Sequence, residues 1–152
     1  GGLEAEFVHV IDCVTTNKTD FFREPSHFDF MRTVAVPALL DGARGSQRRI
    51  KVWSAACSTG AEAFTIAMVL QDMNEQGLEF RYSILGTDVS TEVLAEAQAA
   101  IYRRDFVAAV PAPMLQRYMM QSRDSRSDLV RIIPELRSLV QFAHLNLMDP
   151  SY

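Results

Sequence analysis

The sequence predicts an α/β fold built on a parallel sheet, and three observations carry that prediction. Short β-rich runs at Ile50–Ala56, Phe80–Thr87 and Leu139–Leu145 are separated by helical stretches at Glu62–Met73 and Thr91–Tyr102. Loops of small or polar residues follow the strands, as in Cys57-Ser58-Thr59-Gly60 and Asp88-Val89-Ser90. The chain has 152 residues, 48% hydrophobic and 22% charged, which suits one soluble domain with a real core.

Each element has its own local reason. Glu4–Val14 is short and mixed and reads as the tail of a helix. Thr19 or Asp20 can cap a short helical turn, and Pro25 disfavours helical geometry at Glu24. Phe28, Met31, Val34 and Leu39 or Leu40 space a helix over Ser26–Leu40, which Pro37 should kink or divide. Asp41–Ser46 is a polar loop. The run through Val52 and Trp53 is the first strand. Ala63, Ile66, Ala67 and Leu70 form one face of the next helix, and Gly77 is its natural stop. Ser90 is the N-cap of a helix whose stripe is Val93, Leu94, Ala97 and Ile101. Pro113–Met120 is a shorter helix, Ser122–Asp128 a polar connection, and Leu129–Ile133 a further strand. Strands near 50–56, 80–87 and 139–146 should lie in spatial order 3-2-1, with a small antiparallel piece around 128–145.

Charge and cysteine content narrow the function. The formal net charge is −4, which disfavours a duplex nucleic-acid binder. No apolar run reaches the roughly 18 residues a membrane helix needs. Cys13 and Cys57 make no disulfide framework, so a reduced, cytoplasmic protein is the simplest reading. His9, His27 and His144 lack metal-ligand spacing.

In an open parallel sheet, ligands sit beyond the carboxyl ends of the strands. Three loops fall there. Ala56–Gly60 leads into a helix whose free N–H groups suit an anion, or it is only a tight turn. Asp88 either accepts hydrogen bonds from the vicinal hydroxyls of a ribose or caps the following helix. Asn146 either pairs with a nucleobase edge or closes a turn. Together they describe a nucleoside site. There is neither a GxGxxG nor a phosphate-loop lysine, so a plain dinucleotide or nucleotide-triphosphate site loses ground. Upstream, Phe21 and Phe22 read as core, with Arg23 between them and an acid–proline step.

Several blocks resemble one family. Thr16–Glu24 followed by His27-Phe28 resembles the TNxTxFFRExxHF signature of the CheR chemotaxis receptor methyltransferases. Val52–Met68 is similar to its VWSAxCSTGEEPYSIAM, and Thr87–Ser90 to its TDIS. Gln116–Tyr118 and Val140–Leu147 resemble later blocks. The resemblance implies a partial Rossmann-like, S-adenosylmethionine-dependent methyltransferase sheet with a short N-terminal helical remnant and a small antiparallel β insert. It implies methyl transfer to glutamate side chains of chemoreceptor cytoplasmic domains, forming methyl esters and S-adenosylhomocysteine. It places Asn17, Thr19 and Arg23 at the cofactor's methionine end and reaction centre, with Arg23 orienting the acceptor carboxylate. Glu62 would reach the methionine part, Asp88 the ribose, and Asn146 and Leu147 the adenine.

Departures from the family pattern shape the remaining expectations. The family's Glu-Glu-Pro reads Ala61-Glu62-Ala63 here. The chain stops at Asp149-Pro150-Ser151-Tyr152, where the family continues into a strand reading like FDxIFCRNVxIYF and beyond. The expectation is an incomplete, inactive fragment: residues 1–15 a remnant of an N-terminal helical domain and linker, and 16–152 the front half of the methyltransferase domain. A β-subdomain at about 111–140 corresponds to one that docks a receptor tail in some members. Competing readings are a cofactor-binding or regulatory module without transfer activity and a methyltransferase with another acceptor. The strand at Ile50–Ala56 should keep one unpaired edge, which favours self-association.

Overall fold

The computed structural model describes residues 7–12, 20–45, 48–124 and 126–145. Its frame is a four-stranded parallel sheet, in order β1 (Phe7–Asp12), β2 (Arg49–Ala55), β3 (Arg81–Asp88) and β7 (Val140–His144). The three sequence-derived strands thus lie side by side in the expected order. Between them run α3 (Ala61–Met73) and α4 (Thr91–Ala99), the crossover helices that parallel pairing requires. Ser90 caps α4, its Oγ accepting from Val93 N at 3.4 Å.

β1 corrects two expectations. Phe7–Asp12 is a strand and not a helix tail, and it pairs along the edge of β2 that was expected to stand open. The run Phe7-Val8-His9-Val10-Ile11 favours extended backbone, and a β2 edge without a neighbour offers it a full ladder.

The expected Ser26–Leu40 helix is continuous but not uniform. α1 (Pro25–Phe30) passes into a π-helical turn at Met31–Ala35 and then α2 (Val36–Leu40). Pro37 has no N–H and its ring crowds the carbonyl four residues back, so the widened turn stands where the bonding register must change. Glu24 is left-handed at φ 58° and Pro25 is the first helical residue, matching the restriction proline places on its predecessor.

α3 departs from the one-faced pattern read from its sequence. Eleven of its 13 residues are buried, including Thr65 and Asp72, so it is a central helix and not a surface one. The sheet covers one side. On the other, Asp72 near its C-terminal end accepts hydrogen bonds from Arg32 of the π turn, at 2.6 Å, and from Arg117 of α5 (Ala112–Tyr118).

The antiparallel piece exists but is made of different strands. Its order is β4 (Ile101–Arg103), β6 (Leu129–Ile132), β5 (Met119–Gln121). The expected helix ends at Tyr102 and Met120 are therefore strands. Ala100 turns the chain left-handed at φ 55° and ends α4 early. Tyr102, Met119, Val130 and Ile132 then bury one face of the small sheet. The short α6 (Pro134–Arg137) leads into β7, which belongs to the parallel sheet. One apolar core runs through both sheets, from Phe21 and Phe28 to Tyr118 and Leu136.

Among the described residues, the parallel sheet is covered on one face only. Ile50, Val52, Ser54, Tyr82, Ile84 and Gly86 are buried. The opposite face carries half-buried Lys51 and Trp53 and exposed Ser83 and Leu85, around an open groove of about 330 Å3. Trp53 stands half-buried on this open face.

Candidate functional site

The parallel register brings the carboxyl ends of the strands to one edge. Asp12 is level with Ala55, Ala55 with Thr87, and Asp88 with His144. The loop after β2 folds over this edge and is pinned to β3 twice. Cys57 N donates to Thr87 O at 2.8 Å, and Ser58 N donates to Asp88 Oδ2 at 2.9 Å. The other oxygen of Asp88 accepts from Ser90 N at 3.0 Å, and its carbonyl accepts from Leu145 N at 3.0 Å. Asp88 therefore ties all three strand-end loops together. It does not cap α4, a role taken by Ser90.

The loop is built from left-handed residues. Ala56, Ser58 and Gly60 have φ of 54°, 53° and 92°. Such backbone costs energy at non-glycine positions and collects at functional sites. Gly60 also has no space for a side chain: a Cβ would lie 3.1 Å from Ala97 Cβ and from Tyr102 Oη, and 3.2 Å from Phe142 Cζ. Gly86 is tighter, at 2.8 Å from the Phe142 ring. Cys57 is buried beneath the loop. Burial, reinforced by the negative charges of Asp88 and Glu62, pushes its thiol up to about 12. It is a packed, protonated thiol.

Glu62 stands in the first turn of α3, half-buried, and accepts from Ser54 Oγ at 2.7 Å. Beside it Ala61 and Ala63 are 0% exposed, so an acid at position 61 would have to bury a carboxylate here.

The Phe21–Glu24 segment reaches the same edge through packing. Phe21 is 1% exposed and meets Tyr102 edge-on, ring centroids 5.0 Å apart. That burial is worth roughly 1.5–3 kcal/mol, and the ring pair about 0.5–1.5 kcal/mol more. Tyr102 Oη donates to Thr59 O at 2.6 Å, and Phe22 N donates to Thr65 Oγ1 on α3 at 3.2 Å. The aromatic pair thus docks against both the loop and α3. Arg23 is half-buried and sits between two left-handed residues, Phe22 and Glu24. A cavity of about 800 Å3 opens beside Thr59, lined also by Asp20, Glu96, Tyr102, Arg103 and Phe106. Thr59 Oγ1 is buried without a hydrogen-bond partner among the described residues.

The structure therefore joins Asp88 to the loop after β2 and sets Glu62 at the start of the adjoining helix. Arg23 arrives through the packing of Phe21. Asn17, Thr19, Asn146 and Leu147 lie outside the described residues. Sequence reasoning missed Ser54, which holds Glu62, and Tyr102, which holds the loop. Ser54 had a signal in the VWSA block, since it alternates with Val52 onto the buried face. Tyr102 had none, because its contact to Thr59 spans 43 residues.

The residues fit an adenosyl cofactor. A carboxylate stands at the end of β3, where a ribose diol is bound in such sheets, and a second one starts α3. Glycines 60 and 86 let Phe142 pack close beneath the loop, and the two carboxylates suit a ligand carrying sulfonium and ammonium charges. Fold and site define a nucleoside-cofactor-binding α/β domain.

Comparisons carry this to a family. Residues 17–152 match the family model described as CheR methyltransferase, SAM binding domain. A chemotaxis protein methyltransferase of Borreliella burgdorferi is 38% identical over 149 residues, covering 97% of this chain and 52% of that protein. One of Escherichia coli is 40% identical over 147 residues, covering 97% and 48%. Chemotaxis protein methyltransferase 2 of Pseudomonas aeruginosa is 32% identical over 145 residues, covering 93% and 49%. The chain belongs to the CheR methyltransferase family, whose cofactor is S-adenosylmethionine. It spans about half the length of the curated relatives it matches.

Proposed function

We propose that this chain is the cofactor-binding part of a protein-glutamate O-methyltransferase acting on chemoreceptor cytoplasmic domains. The observation that supports it most is Asp88. Its carboxylate ends β3, anchors Ser58 of the loop after β2, and has lone pairs left for a diol. In this reading Asp88 holds the ribose and Glu62, steadied by Ser54, faces the methionine part. Asn17 and Thr19 contact the methionine end, and Asn146 and Leu147 border the adenine. When bound, the cofactor supplies an electrophilic methyl group on a sulfonium.

The chain's own work is positional. An acceptor glutamate is already ionised at neutral pH, so no general base is required. No residue of this chain would have to take up or release a proton. Arg23 orients the acceptor carboxylate, and alignment provides most of the rate. The left-handed residues on either side of Arg23 support this role by restricting where its side chain can be presented.

Calorimetry with S-adenosylhomocysteine tests the reading. Wild type should bind, and Asp88→Ala should bind at least tenfold more weakly, the scale of a lost charged hydrogen-bond pair. Equal affinities would remove Asp88 from the site. Incubation of a full-length relative carrying this segment with receptor, followed by alkaline release of methanol, separates an active transferase from a cofactor-binding regulatory module. Cofactor binding without methanol release favours the module.

A further inference from the structure

We infer that the cavity framed by α3, α4, α6 and β7 is a binding site for a compact oxyanion, a phosphate or a carboxylate, centred on Arg137. The cavity is about 380 Å3 and is lined by Phe64, Gln98, Arg137, Val140, Gln141 and Phe142. Arg137 ends α6 and is half-buried. Its Nε is buried and has no hydrogen-bond partner, and no carboxylate pairs with its guanidinium among the described residues. Four arginines elsewhere show the alternative. Arg32 and Arg117 hold Asp72, Arg48 donates to the carbonyls of Leu78 and Glu79, and Arg131 donates to Ala99 O. The Nε itself is closed off from solvent, but the Nη groups of the same guanidinium make no hydrogen bond among the described residues and are left to a ligand in the cavity.

The lining states the ligand's chemistry. Arg137 brings a fork of donors, which matches the oxygens of a carboxylate or phosphate. Gln98 and Gln141 add two side-chain amides that make no hydrogen bonds among the described residues. No acidic side chain lines the cavity, so a cation has nothing to bind. Phe64, Val140 and Phe142 form an apolar wall that strengthens each charged contact.

One wall is shared with the cofactor edge. The Phe142 ring is the group that leaves no room for a Cβ at Gly60 or Gly86. An anion seated against that ring bears on the two glycines beneath the loop after β2. Occupancy should therefore change cofactor affinity, and reciprocally. This coupling rests on the cofactor reading above; the anion site does not.

The test titrates the 152-residue chain with inorganic phosphate and, separately, with acetate, in a buffer free of both and with no nucleoside present. Saturable binding is expected, weakened at least tenfold in Arg137→Gln and measurably in Gln98→Ala, an exposed position on α4. Tighter phosphate binding assigns the phosphate class and tighter acetate binding the carboxylate class. Affinity unchanged in Arg137→Gln, or no saturation by either probe, overturns the site. S-adenosylhomocysteine affinity is then measured with and without saturating anion, and a change of threefold or more is expected. An unchanged affinity overturns the coupling. Loss of nucleoside binding under both conditions, with phosphate binding intact, overturns the cofactor reading instead.

Discussion

Cys57 and Gly86 show how little freedom the loop after β2 has. The thiol lies 3.1 Å from where a Gly86 Cβ would be, and burial together with Asp88 and Glu62 raises it to about 12. Thiolate is the reactive form, so Cys57 should resist alkylation at pH 8 in the folded chain and react once unfolded. Mass spectrometry after iodoacetamide treatment in a Cys13→Ser background reads this directly. Modification of the native protein at the unfolded rate would mean the loop opens freely. Gly86→Ala places a methyl 2.8 Å from the Phe142 ring. Overpacking of this kind costs about 1–3 kcal/mol, so thermal unfolding should shift down by several degrees. An unchanged midpoint would show that the ring moves aside.

Three elements are held together by one carboxylate. Asp72 on α3 takes Arg32 from the π turn and Arg117 from α5, and Arg117 also reaches Glu75 at 2.7 Å. Tyr118 Oη donates to Glu75 at 2.8 Å. Burial alone would raise the Asp72 carboxyl, but the hydrogen bonds from Arg117 and Arg32 outweigh it and hold it below the usual carboxylate range. The sign follows from linkage. A pKa depressed in the folded state stabilises the protein above the unfolded value of about 3.9, and that stability drains away as pH falls through the folded value. Asp72→Asn should therefore flatten the acid limb of the stability profile below about pH 4 and lower neutral stability by about 1–3 kcal/mol. Denaturant unfolding across pH 2–7 measures both. Parallel acid limbs for wild type and variant would show that the clasp contributes nothing. The same clasp explains why α3 reads as one-faced in sequence yet is buried nearly all round: its polar Asp72 is satisfied by side chains from distant segments.

At the scale of the whole molecule, the described residues put helices on one face of the parallel sheet and none on the second. All-parallel sheets are ordinarily covered on both. Here Trp53 and Leu85 stand beside Lys51 and Ser83, with Leu139 at the margin of the groove. The edge of β2 is occupied by β1, so association should proceed through this face and not by strand addition at that edge. Sedimentation velocity should show reversible self-association of the chain at high concentration, diminished in Leu85→Glu. A monodisperse monomer for wild type at every concentration would count against it.

The sequence by itself determined the order β2, α3, β3, α4 and β7, the placement of the loop after β2 and of Asp88 at the carboxyl edge, and the family. These are local matters: β-branched runs, small-residue loops, an N-cap at Ser90, and motif blocks that need no distant partner to be read. Tertiary structure alone decided the rest. Phe7–Asp12 is a strand because a ladder was available on β2, and Ile101–Arg103 and Met119–Gln121 are strands because β6 lies between them. Tyr102 holds Thr59, and Asp72 gathers two arginines, across separations of about 40 residues. Such contacts follow from which surfaces meet after folding, and periodicity along the chain records only which surfaces are apolar.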